Sequence, residues 1–209
     1  MLKKHTIIFV LLLILFIPIA ANTTNNLEEQ VQSVFDKTSS IEEIDSGIKK
    51  INNLVVEQGF DKYRAEIRIA SLTIEKAIYP WLPNEKLDYL SKGEKKFDEV
   101  YKKIKNLPNN DFYLYEFSYF RGVTFSFYPS FLGKNKIALQ DLENAEKLAK
   151  KLKIQEEPNL GELYYSLMYM YTQFNKQDNA KFYAKKLLSF TTITKEMKIE
   201  AKKVIQQNS

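Results

Sequence analysis

Glu116 and Asp141 are the acids with the most apolar sequence surroundings in this 209-residue chain. A pair of carboxylates facing each other within about 10 Å across a cleft could support hydrolysis of the glycosidase kind. Other chemistries are closed by composition. The chain has no Cys, and its single His, His5, lies in an N-terminal leader. Once that leader is removed there is no thiolate nucleophile, no Ser-His pair, no His-ligated metal and no disulfide. Carboxylates, Tyr, Lys and Arg alone remain, which argues against an enzyme. No metal or cofactor is called for. Arg121 is a lone cation in a stretch otherwise apolar for most of its length, DFYLYEFSYFRGVTF. A buried cation needs a partner, and Glu116 or Glu162 is expected to supply it, across neighbouring helices.

The leader MLKKHTIIFVLLLILFIPIAAN sets the compartment. Lys3, Lys4 and His5 precede an unbroken apolar run from Ile7 to Phe16, then Pro18 and the small pair Ala20-Ala21. That order is a secretory signal peptide, residues 1–21, whose apolar stretch of about 15 residues is shorter than the roughly 20 a spanning helix needs. The expectation is an exported protein, periplasmic or secreted. An uncleaved 7–21 segment anchored in the inner membrane is the alternative, and the only expected route to membrane contact. No Cys follows the run to take a lipid. Without Lys3 and Lys4 the 31 basic residues fall to 29 against 26 acids, a net charge of +3. The lysines alternate with acids, as in EKKFDEVYKKIK, a solvated helix face rather than a nucleic-acid patch.

These residues must be held by helices. Residues 22–26 read as a polar linker and 27–207 as a single helical domain. Leu27, Val31, Val34 and Phe35 mark a first helix. Ile41, Ile44, Ile48, Ile51 and Val55 mark a second, opened by Ser40 with Glu43 as a capping box and ended by Gly59. A third carries Tyr63, Ile67, Ala70, Ile74 and Ala77 and stops at Pro80. A fourth starts near Asn84 as N-cap. The fifth, Asp111 to Phe127, is apolar almost all round and belongs in the middle of the stack. Ile137–Leu152, Leu160–Phe174, Asn179–Phe190 and Lys195–Gln206 complete about eight or nine helices without a strand pattern. The fold class is all-α.

Spacing says more than number. Ala138, Leu142 and Ala145 fall at i, i+4 and i+7; Ala180, Ala184 and Leu187 repeat the offsets, as do Gly93, Phe97 and Val100. A small residue in first place permits close helix approach. Each set follows another helix by a short turn, so the unit is a helical hairpin repeated at a period of about 40–45 residues, which implies stacked hairpins.

At YYSLMYMYTQFNKQDNAKFYAKKLL the chain resembles the tetratricopeptide-repeat family. Tyr164, Leu167 and Tyr171 stand at its large first-helix positions, Ala180 and Leu187 at its second-helix ones, and FNKQDNA at its polar turn. Met168 replaces a small residue, Ala184 an aromatic, and Thr191-Thr192 the closing Pro. The preceding unit keeps Gly122, Ala138, Leu142 and Ala145 but inserts about four residues between its helices. The likeness covers roughly residues 61–190. It implies a right-handed solenoid of stacked antiparallel hairpins whose first helices line a concave groove for another protein or a peptide segment, an adaptor function in the cell envelope. The groove positions it implies are Glu116, Tyr119, Val123 and Phe127, then Glu162, Tyr165, Tyr169 and Gln173.

Two loops, IYPWLPNEKL and FYPSFLGKNKIAL, place Tyr-Pro at a helix end, then large apolar residues, then a polar helix start. Such loops are also similar to those of exported bacterial repeat proteins, including the T-component proteins of TRAP-type transport systems, which implies the alternative of a small-molecule-binding accessory. Trp81 and Phe131 belong to a binding rim if the loops face outward. Packing as a plug between hairpins is the favoured expectation for these loops, with Trp81 half exposed.

Overall fold

The computed structural model describes residues 19–35, 38–154 and 157–206. Residues 1–18, most of the leader, lie outside them. Nine α-helices are described: α1 (Ile19–Phe35), α2 (Ile41–Gln58), α3 (Lys62–Glu75), α4 (Pro83–Ile104), α5 (Asp111–Ser126), α6 (Asn135–Leu152), α7 (Glu157–Gln173), α8 (Gln177–Leu188) and α9 (Lys195–Gln206). Short 3-10 turns cover Lys76–Ile78 and Ser130–Leu132. No strand occurs among the described residues, and the all-α class stands. The polar Asn22–Asn26 stretch, read above as a linker, lies inside α1.

The chain divides into two compact units, Met1–Asp61 and Lys62–Ser209, where the sequence reading takes residues 27–207 as one domain. In the first unit, Ser40 caps α2 by accepting the Glu43 N–H at 3.2 Å. The Glu43 carboxylate accepts from the Ser39 hydroxyl and N–H, one residue earlier than a capping box requires, and these bonds hold its carboxyl below the usual range. Gly59 ends α2 at φ +72°, a conformation that favours glycine. Val34, Ile44, Ile51 and Leu54 are buried, and Val34 sits where a Cβ on Gly47 would be, 2.2 Å from its Cγ1.

The second unit is built from antiparallel hairpins. α3 packs on α4, α5 on α6 and α7 on α8, with α9 against α7 and α8. Arg121 meets Asp141 and Ser118 meets Asn144, so one partner descends as the other ascends. The expected small-residue sets lie in the core: Ala138, Leu142, Ala145, Ala180, Ala184 and Leu187 are fully buried. Gly93 admits Ile74 from α3, and Gly122 admits Leu142 from α6. α5, apolar on nearly every side, packs against α3, α4, α6 and α7.

Several boundaries differ from the sequence reading, as where α8 is Gln177–Leu188 rather than Asn179–Phe190, and two of them have a clear physical reason. α3 stops at Glu75 and tightens into the Lys76–Ile78 turn before Pro80, the i→i+3 ending common at helix termini. α4 begins at Pro83, not at a cap on Asn84, and Leu82 holds the cap position without a side-chain bond. Proline has no N–H to satisfy and its φ is already helical, so it takes the first helical position.

Candidate functional site

The first helices of successive hairpins run parallel. Arg64 and Arg68 of α3 reach Glu116 of α5, and Ser71 and Thr124, further along each helix, meet at 2.8 Å. Tyr119 of α5 reaches Glu162 of α7, and Phe127 stacks on Tyr169 with ring centroids 6.0 Å apart. Both members of each set ascend together. The face shared by α3, α5 and α7 is therefore a series of rungs at nearly constant register.

The charged rungs are internally satisfied. Arg64 grips Glu116 with two bonds of 2.8 and 2.7 Å, and Arg68 adds one of 3.0 Å and a longer one of 3.5 Å. Glu116 and Arg68 are both only 4% exposed. The guanidiniums also lie over aromatic faces, Arg64 on Phe112 and Arg68 on Phe120. Two cations on one carboxylate suit a buried site, because a lone buried charge is costly. Arg64 and Arg68 escaped the sequence reading. The signal was present in KYRAEIRIA, two arginines one turn apart, flanking the stripe of Tyr63, Ile67, Ala70 and Ile74.

Arg121 finds a different partner from either one expected. It binds Asp141 through two bonds of 2.6 and 2.9 Å, within its own hairpin, and lies 4.4 Å over the Phe117 ring. Neither Glu116 nor Glu162 serves it. Glu116 is turned to α3, Glu162 takes the Tyr119 hydroxyl, and the antiparallel register of α5 and α6 sets position 121 opposite 141. Burial pushes the Asp141 carboxyl up, against the pull of Arg121. The two acids considered for paired-carboxylate chemistry are each held by arginine.

Tyrosine–carboxylate bonds repeat the same logic between helices. Tyr119 donates to Glu162 at 2.5 Å, Tyr171 to Glu143 at 2.6 Å and Tyr183 to Glu146 at 2.8 Å. Burial first, then the neighbouring carboxylate, pushes each phenol above its usual value. Glu146 also takes Lys186 and Lys150. Burial alone would raise its carboxyl, but the bonds from Lys186, Lys150 and Tyr183 outweigh that and hold it low.

The expected site residues thus separate. Glu116 and Tyr119 are buried structural members, Glu162 is half-buried beneath the face, and Arg121 belongs to the hairpin interior. Tyr165 and Tyr169 of α7 are half-open, and exposed Phe127 at the end of α5 stacks on Tyr169, so these rings form an aromatic strip, while Phe120 and Val123 are half-buried. Burial, then Glu200 of α9 and Tyr169, raise the Tyr165 phenol.

The two loops depart from the expected plug. Pro80 and Tyr128 turn inward and are buried, while Trp81 is 93% exposed and Phe131 83%. The Pro-flanked loops anchor on one residue and present another. Comparison of the chain with known protein families, curated proteins and solved structures finds no match.

Proposed function

We propose that this is an exported, tetratricopeptide-like adaptor that binds a segment of another protein across its first helices. The observation that carries the reading is the strip of Phe127, Tyr165 and Tyr169. These rings are partly open to solvent, while the charges around them are paired within the fold. Tyr combines an apolar ring with a polar tip and loses little rotamer entropy on binding, which suits a recognition surface. Parallel first helices at repeating register support a solenoid in which the strip would extend along the concave side.

The test places a photo-crosslinking amino acid at Tyr169, and at Lys185 on the exposed side of α8 as control, in the native cell envelope. The reading expects one defined protein captured at position 169, absent at 185, and lost when Phe127→Ser is added. Equal capture at both positions would overturn it. Recovery of a small molecule instead would favour the transport-accessory alternative.

A further inference from the structure

Cations in the second unit are repeatedly held between a carboxylate and an aromatic face. Arg68 bonds Glu116 and lies over Phe120, and Arg121 bonds Asp141 and lies over Phe117. Lys186 bonds Glu146 and lies over Tyr164. Each of these three acids is buried, so its charge is answered inside the fold.

Glu162 differs. Its half-buried carboxylate accepts the Tyr119 hydroxyl at 2.5 Å, a neutral donor that engages one oxygen and does not cancel the charge. Among the described residues no Lys or Arg pairs with it. Arg68, on the neighbouring rung, is committed to Glu116. Glu200, the acid that Tyr165 feels from α9, already holds Lys203.

Aromatic faces stand beside this carboxylate. Tyr165 follows Glu162 by three residues and Tyr169 by seven, so one side of α7 carries the acid and then two half-open phenol rings. Exposed Phe127 stacks on the second ring. A strip of rings alone would suit a purely apolar ligand. A half-buried carboxylate next to ring faces suits a cation, which gains both the charged hydrogen bond and the attraction of the ring.

We propose, resting on the adaptor reading of this face, that the bound protein segment presents a Lys or Arg to Glu162 and Tyr165 and an apolar side chain to Tyr169 and Phe127. Glu162 and Tyr169 are separated by about 10 Å along α7. An extended chain covers that distance in about three residues, which sets the spacing of the basic and apolar residues in the segment.

The test selects short random peptides, displayed on phage, on the full-length protein. The enriched peptides are then synthesised and their affinities measured at low and high salt. They are expected to carry Lys or Arg about three positions from an aromatic or aliphatic residue, and to bind more weakly as salt rises. Exchanging the peptide's Lys or Arg for Gln should cost about tenfold on the wild type and little on Glu162→Gln. That comparison is made within each protein, so a folding change in the variant does not mimic it. Gln also keeps an oxygen that can accept the Tyr119 hydroxyl. Tyr169→Ser should weaken every enriched peptide. Peptides that depend on Tyr169 but show no preference for a basic residue, or prefer an acidic one, would overturn the proposal and leave the adaptor reading standing. No enrichment, or enrichment that Tyr169→Ser leaves untouched, would overturn both.

Discussion

Arg121 and Asp141 face each other across the α5–α6 hairpin, joined by two bonds and roofed on one side by the Phe117 ring. Asp141 has 9% of its side chain exposed and Arg121 21%. Removing either partner strands a charge the fold has taken from water. Arg121→Ala should destabilise the protein by about 2 kcal/mol, below the range for fully buried pairs because Arg121 touches solvent. Arg121→Lys should recover little of it, since Lys cannot supply the planar fork. The double variant Arg121→Met/Asp141→Leu should cost less than Arg121→Ala alone. Urea unfolding of all three decides the point; a double variant that costs more than Arg121→Ala would show the pair acts through something else.

Gly122 and Gly93 are where hairpins close most tightly. A Cβ on Gly122 would lie 2.9 Å from Leu142 Cγ and 3.0 Å from the Leu142 backbone nitrogen. On Gly93 it would meet Ile74 Cγ1 at 2.2 Å and the Ala70 carbonyl oxygen at 3.0 Å. Backbone atoms cannot step aside as a side-chain end can. Gly122→Ala and Gly93→Ala should each cost about 1–3 kcal/mol, despite the better helix propensity of Ala. A control glycine-to-alanine change at Gly133 meets no atom within 4 Å and should cost only its positive-φ strain. Thermal unfolding orders the three, and a stabilised Gly122→Ala would contradict the close approach.

Much of this was legible in the chain because local rules agreed with the fold. Ser40 and Gly59 bracket α2, and Ala138, Leu142 and Ala145 fall on one buried face, as the 3.6-residue period demands. What was not legible depends on how helices slide past one another. Arg121 lies five residues from Glu116 but twenty from Asp141, and only the hairpin register makes the distant acid the neighbour. Glu116 is claimed by Arg64 and Arg68 from a helix about fifty positions away. The loops resisted for another reason. Tyr79, Trp81, Tyr128 and Phe131 are all large aromatic residues close to a Pro, yet Tyr128 is buried while Trp81 and Phe131 stand exposed.

The tyrosine–carboxylate bonds predict loss of stability at high pH. Tyr119, Tyr171 and Tyr183 have folded values raised above the ordinary phenol value of about 10. Their stabilisation is complete below the unfolded value and is lost as pH rises towards the raised folded ones, because only the unfolded chain releases the protons. Tyrosine ionisation followed by ultraviolet absorbance should therefore show a late fraction that titrates together with loss of helix by circular dichroism. Tyr119→Phe should reduce that late fraction. Early and complete ionisation in folded protein would refute the assignment.

Glu146 predicts the opposite limb. Its carboxyl is held low in the folded protein by Lys186, Lys150 and Tyr183, so its contribution is present above the unfolded value of about 4.3 and is lost as pH falls through the lowered one. Glu146→Gln keeps the shape but gives up the charge that two lysines and a phenol converge on. The variant should lose about 1–2 kcal/mol at neutral pH, since hydrogen bonds to a charged group exceed neutral ones. The loss should shrink on acidification, as the wild-type carboxylate also becomes neutral. A gap between the two proteins that stays constant from neutral pH to below pH 4 would mean that packing, and not this charge, joins α6 to α8.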